Sequence, residues 1–194
     1  MELEIEIEQV APSDVIRMTF LKTNLPGVFE IELELNRDER GFFARTWCAK
    51  EFAAHGLNSS LVQSSVSLNS NRGTLRGIHY QEEPYAETKV VRCTAGAIYD
   101  VALDLRRNSP TFKKWYATEL SAGNRRSLYI PEGCAHGFLT LTNDSEVAYQ
   151  MSEFYCPVAG RGVRWNDPAF RITWPEKVTM ISERDLKYPD FESQ

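Results

Sequence analysis

No apolar run in this chain approaches the ~20 residues that a membrane-spanning helix needs. The four cysteines (Cys48, Cys93, Cys134 and Cys156) are widely spaced and form no C-x-x-C pair. That argues against a zinc site, and without a signal-peptide pattern they read as reduced thiols of a cytoplasmic protein. No basic block offsets the formal net charge of -5, which argues against a general nucleic-acid partner. A G-x-G-x-x-G fingerprint is missing, and with it the usual sign of a dinucleotide cofactor. There is also no long helical periodicity, low-complexity linker or shift in composition. Residues 1–194 therefore read as a single domain, long enough to bury a substantial core. Histidine is scarce: only three are present, so the setting of each one carries information.

What the chain has instead is β-type alternation. Residues 2–8 alternate acids with Leu3, Ile5 and Ile7, as a half-exposed strand would. Residues 27–35 repeat the pattern through Val28, Ile31, Leu33 and Leu35. Asp38-Glu39-Arg40-Gly41 is turn chemistry, followed by an aromatic strand with Phe42, Phe43 and Trp47. A short helix is expected at 50–55, stopped by Gly56. Short runs then follow at 61–68, 73–81, 88–94, 96–105, 115–120, 127–130, 137–141 and 146–155, punctuated by Gly and Pro. Many short strands at close, regular spacing predict an all-β sandwich or barrel.

Two segments carry chemistry. Residues 73–81 carry Arg76 and His79 among strand-formers and glycines, and Lys89 lies ten residues beyond His79. A His, an Arg and a Lys gathered inside a β scaffold suit an anionic ligand and proton transfer. The second segment, Pro131-Glu132-Gly133-Cys134-Ala135-His136, has the form P-x-G-x-x-H, a turn delivering a histidine onto the next strand. It resembles the second half-motif of the cupin superfamily. Metal-binding cupins pair it with H-x-H and a carboxylate, whereas the first half here offers His79 and then Gln81. Two histidines without a carboxylate make a poor divalent-metal site, so a metal-free barrel is expected.

The resemblance extends to one family. The segments 38–43, 62–63, 73–81, 89–92, 96–107, 109–111, 129–138, 149–157, 164–168, 174–175 and 182–185 match, in order and spacing, the dTDP-4-dehydrorhamnose 3,5-epimerases. This likeness covers roughly residues 27–185. It implies a cupin-type jelly roll with short peripheral helices. The implied activity is inversion of C3 and C5 in a nucleotide-linked 4-keto-6-deoxysugar, without metal or cofactor. Such chemistry removes a proton beside the keto group and returns it to the opposite face, so it needs a base, an acid and a donor near the enolate oxygen.

By that resemblance His79 is the base, Asp185 its partner, Tyr149 the acid and Lys89 the enolate stabiliser. Asp100 is expected to orient Lys89 through a salt bridge. His136 is expected to donate a hydrogen bond to sugar or phosphate. Arg40, Arg76 and Arg184 are implied at the nucleotide end of the substrate, with Phe43, Gln63 and a stacking Tyr155. Asp167, in an equally recognisable Trp-Asn-Asp-Pro segment, is expected to serve turn structure. A homodimer is implied, in which an N-terminal strand joins the partner's sheet.

Arg45, Ser64, Ser65 and Gly160 depart from the family pattern, all expected at the nucleotide end. A 3- or 5-epimerase acting at one position on a related sugar nucleotide is the main alternative. A non-catalytic sugar-nucleotide-binding cupin is a third reading, disfavoured because His79, Asp185, Lys89 and Tyr149 are all present.

Overall fold

Alternating residues decide which side of each strand faces its neighbour, and here two faces are apolar back to back. The structure, a computed structural model, describes residues 17–191. The alternating segment 2–8 lies outside them. The elements in order are β1 (Met18–Lys22), β2 (Phe29–Leu33), β3 (Asn36–Asp38), β4 (Gly41–Phe43) and α1 (Ala49–Ala54). Next come β5 (Gln63–Asn69), β6 (Thr74–Gln81), β7 (Lys89–Ala95), β8 (Ala97–Asp104) and β9 (Trp115–Ser121). The last are β10 (Ser127–Ile130), β11 (Cys134–Thr140), β12 (Ser145–Met151), β13 (Gly160–Gly162), β14 (Met180–Ile181) and α2 (Glu183–Leu186).

Two sheets of six strands form a jelly roll. The first runs β1-β2-β10-β7-β12-β5; the second runs β13-β6-β11-β8-β9, with β14 parallel to β6. Between them lies a core that includes Val91 and Cys93 of β7, Val147 of β12, Ile98 and Ala102 of β8, and Phe138 of β11. Val90, one residue out of phase with Val91, packs on the outer face of the first sheet against Phe52 of α1, Ile31 and Tyr129. Ala135 and Leu103 are likewise out of phase with the inner residues and pack with Ile78, Val163 and Phe170 behind the second sheet. The period of two thus builds three apolar layers from one set of strands.

One irregularity matters for function. On β6 the pairing with β11 shifts, so that His136 opposes His79 but Phe138 opposes Arg76. The extra residue is a β-bulge, and it changes the parity of the strand. Ile78 points outward, while Arg76 and His79, three residues apart, both reach the inner cavity. Gly77 permits this, with φ +121° and space that a Cβ would lose, since it would fall 2.6 Å from Gly137 Cα.

Several sequence expectations shift. The helix expected at 50–55 is α1, ending before Gly56 as the sequence suggested. The run read at 146–155 stops as a strand at Met151, after which residues 152–159 form bends and turns. The short β13, β14 and α2 carry no periodicity of their own and went unread. Asp104, fully buried where β8 ends, organises the following turn. It accepts from Arg106 Nε and Nη2, each at 2.8 Å, and from Ser109 and Thr111 hydroxyls, each at 2.6 Å.

Candidate active site

The inner face opens into a cavity of two adjoining lobes, of about 770 and 630 Å³. Ser65, His79, Lys89, Tyr149 and Arg184 line both. Arg76, His136 and Asp185 belong to the first lobe; Gln63, Tyr155, Glu87 and Tyr188 belong to the second. Thus β6 and β11 of one sheet bring His79 and His136 to one wall. Strands β7 and β12 of the other bring Lys89 and Tyr149 to the opposite wall.

His79 Nε2 lies 2.7 Å from Asp185 Oδ1, the pairing expected from sequence. Asp185 is 3% exposed and sits in α2, whose N-cap Ser182 hydroxyl accepts from the Asp185 amide at 3.1 Å. Its other oxygen accepts from the Gly77 amide at 3.1 Å. Burial pushes the Asp185 pKa up, but the His79 and Gly77 hydrogen bonds and the Arg184 charge outweigh it and hold the group below the ordinary carboxylate value. An anionic Asp185 takes the Nε2 proton as a hydrogen bond, which assigns that tautomer and leaves Nδ1 as the basic nitrogen.

Arg184 Nη2 stands 3.1 Å from the same Nε2, and Arg184 Nε 3.4 Å from Asp185 Oδ1. Since the Nε2 proton is engaged by Asp185, the guanidinium is a neighbouring cation sharing that carboxylate, not a second donor to the ring. Tyr188, which the sequence reading missed, presents an edge to His79 with ring centroids 6.2 Å apart.

Asp100 does not orient Lys89. It lies fully buried on the inner face of β8 and meets His136 Nε2 at 2.7 Å. The physical reason is register: β8 is hydrogen-bonded to β11, on the opposite sheet from β7. Lys89 pairs instead with Glu87 at 2.5 Å, both side chains being about nine-tenths buried. Glu87 went unremarked in the sequence, although its position two residues from Lys89 is a signal for a shared face.

The Tyr149 hydroxyl lies 2.9 Å from Ser67 Oγ. Burial pushes its pKa up to about 12, with the Asp100 charge adding to the rise and the Ser67 bond opposing it. Tyr149 is therefore a protonated donor at neutral pH. Arg76 Nε donates to Asn69 Oδ1 at 2.6 Å, which fixes the guanidinium at the cavity edge. Gln63 Oε1 accepts from the Tyr155 amide at 3.1 Å, and the Tyr155 side chain stays largely exposed, available to a planar ring.

Two expected residues stand apart. Arg40 and Phe43 lie on the β3–β4 hairpin, where Phe43 is 65% exposed and Arg40 is bonded to Asp38, and neither lines the cavity of its own chain. Of the departures, Ser65 and Gly160 face the cavity, whereas Ser64 turns to the outer face beside Val90 and Arg45 pairs with Glu51 at 2.9 Å. Asp167 is 2% exposed and accepts from the Ala169 and Phe191 amides at 2.8 and 2.7 Å, a turn-stabilising role as expected.

A base backed by a carboxylate, a cation and a hydroxyl donor facing it across a cavity suit proton transfer at a carbon beside a carbonyl. Comparison with known proteins agrees. A family model described as dTDP-4-dehydrorhamnose 3,5-epimerase matches residues 22–193. The dTDP-4-dehydrorhamnose 3,5-epimerase of Shigella flexneri is 43% identical over 175 residues, spanning 90% of this chain and 96% of its own. The crystal structure of the Elizabethkingia anophelis enzyme of that name has a TM-score of 0.89 at 38% identity, covering 91% of this chain and 98% of that one. The Bacillus anthracis enzyme, solved with TDP and PPi bound, has a TM-score of 0.87 at 40% identity, covering 90% and 100%.

Proposed function

The chain belongs to the dTDP-4-dehydrorhamnose 3,5-epimerase family, and we propose on that premise how its cavity works. It is an isomerase that inverts C3 and C5 of dTDP-4-dehydro-6-deoxy-D-glucose to give dTDP-4-dehydro-L-rhamnose. The observation that carries the residue roles is the division of groups between two walls: His79 backed by Asp185 on one sheet, Tyr149 and Lys89 on the other.

In this reading His79 Nδ1 takes the proton from a carbon next to the 4-keto group, and the bonding pair passes into the enolate. Asp185 offsets the imidazolium charge that results. The Lys89 ammonium stabilises the enolate oxygen. Tyr149 gives its hydroxyl proton to the opposite face of the same carbon, the enolate pair forms the new C–H bond, and the carbonyl is restored. Inversion follows because removal and return come from opposite sheets. No metal or organic cofactor enters these steps.

Tyr155 stacks on the base, Gln63 gives it a polar contact, and Arg184 and Arg76 supply positive charge toward the diphosphate. Arg40 and Phe43, exposed on their hairpin, serve the cavity of a partner in a homodimer. Residues 1–194 act as one domain. Among the described residues no helix is long and apolar enough to cross a membrane, and we place the enzyme in the cytoplasm.

The test is proton NMR of the substrate with the enzyme in deuterated water. Loss of both the C3 and C5 signals supports double inversion. Loss of one identifies a single-position epimerase, and loss of neither removes the assignment.

A further inference from the structure

We propose that Gln81 is a positioning residue for the nucleotide end of the cavity, acting through Tyr155. This role rests on the stacking assignment of Tyr155 given above and adds what holds that residue in place. Gln81 stands two residues beyond His79, where metal-binding cupins carry the second histidine of H-x-H, and no proton-transfer step uses it.

The Gln81 side chain is committed entirely to backbone. It is 4% exposed at the end of β6. Nε2 donates to the Tyr85 carbonyl at 2.9 Å and to the Phe154 carbonyl at 3.2 Å, and Oε1 accepts from the Cys156 amide at 2.6 Å. Two carbonyls need the nitrogen and one N–H needs the oxygen, so the amide fits in one orientation only.

The segment it holds has no sheet ladder of its own. Strand β12 ends at Met151 and β13 begins at Gly160. Backbone groups between them must find partners elsewhere. In succession, the Phe154 carbonyl is taken by Gln81, the Tyr155 amide by Gln63 at 3.1 Å, and the Cys156 amide by Gln81 again. The Cys156 carbonyl then accepts from the Ala159 and Gly160 amides at 3.0 Å each, closing the turn behind it. Gln63 lies on β5 and Gln81 on β6, so the segment is pinned to both sheets.

The ring of Tyr155 has no comparable hold. The residue is 59% exposed, so packing does little to fix it. A Cβ at Gly160 would stand 3.7 Å from both Cε2 and Oη of Tyr155, and Gly160 pairs with Gln81 across β13 and β6. The ring therefore rests beside the glycine that opposes Gln81. An aromatic platform gains affinity for a flat base when its backbone is fixed beforehand, because less freedom is lost on binding. Gln81 bonds none of His79, Lys89 and Tyr149, so its effect belongs to nucleotide affinity and not to proton transfer.

The experiment is calorimetric titration of TDP, with kcat at saturating substrate, for wild type, Gln81→Met, Tyr155→Ala and the double variant. Gln81→Met keeps the length of the side chain and removes all three hydrogen bonds. It should weaken TDP binding by ~10-fold or more while kcat stays within a few-fold. In the Tyr155→Ala background the same substitution should change affinity by less than ~2-fold, because its effect runs through that residue. Equal losses in both backgrounds, an unchanged TDP affinity, or a kcat that falls as far as the affinity overturns the positioning role alone. Should Gln81→Met melt below the assay temperature, Gln81→Glu takes its place. Its carboxylate keeps the Cys156 bond but faces two carbonyls to which it cannot donate, and the same results support or overturn the role. Wild type that does not bind TDP, or Tyr155→Ala that binds it unchanged, overturns the stacking assignment together with the positioning role.

Discussion

His79 and His136 face each other across two antiparallel strands, each with its Nε2 2.7 Å from a buried carboxylate. They share a wall because β6 bulges at Gly77, not because the sequence alternates. Several consequences can be measured.

Replacing Asp185 by Asn keeps the shape and removes the charge that supports an imidazolium. Turnover should fall by ~10²–10⁴-fold, with TDP affinity nearly unchanged. Steady-state rates beside a TDP titration check this. A fall in affinity of the same size would instead make Asp185 a structural anchor for α2.

Tyr149→Phe should separate proton removal from proton return. Substrate protons should still wash out into deuterated water while inversion is lost by ~10²-fold or more. Because the wild-type hydroxyl titrates only at about 12, the part of the rate that depends on this donor should stay flat past pH ~10, where an ordinary tyrosine ionises. A pH profile of kcat for wild type against the variant reads it.

Gly162 lies on β13 directly under Tyr188, and a Cβ there would come within 2.2–2.3 Å of two ring carbons. Gly162→Ala must displace that ring from beside His79. A stability loss of ~1–3 kcal/mol is expected, with KM raised more than kcat is lowered. Adding Tyr188→Ala should restore much of the stability but not the KM. Thermal melts and kinetics of the single and double variants decide.

Asp104 gives a pH dependence of stability. Burial pushes its pKa up, but the Arg106 fork and the Ser109 and Thr111 hydroxyls outweigh this and hold it at about 2. A depressed folded-state value stabilises the fold fully above the unfolded pKa of ~3.9, and that contribution fades as pH falls toward the folded value. It amounts to roughly 2 kcal/mol. Denaturation of wild type and Asp104→Asn should show the gap between them closing across that acid window.

Much of the fold was legible because alternation and Gly/Pro punctuation are local signals. The runs at 73–81, 88–94, 115–120 and 127–130 fall on β6, β7, β9 and β10 within a residue or two. What escaped was non-local. Strict alternation puts Arg76 and His79 on opposite faces, and only Gly77 hints at the bulge that reunites them. Asp100 was matched to the wrong cation, because spacing along a chain does not say which strand lies alongside. Sheet order gives Asp100 to His136 and leaves Lys89 to Glu87. Tyr188 and Ser67 were missed since each is an ordinary residue made significant only by the cavity beside it. Family likeness, by contrast, named the His79–Asp185 pair across a sequence separation of 106, which periodicity alone does not reach.

Because His79 and Tyr149 hang from different sheets, the gap between them is set by the core that holds those sheets apart, which in packed sheets is about 10 Å backbone to backbone. Cys93, Ile98, Phe138 and Val147 therefore act as a calliper, setting the gap that a sugar ring must bridge. A methylene gained or lost among them changes the reach between the two walls without altering His79, Lys89 or Tyr149. Altering Cys93, Ile98 or Val147 is thus a way to change that gap while His79, Lys89 and Tyr149 stay the same.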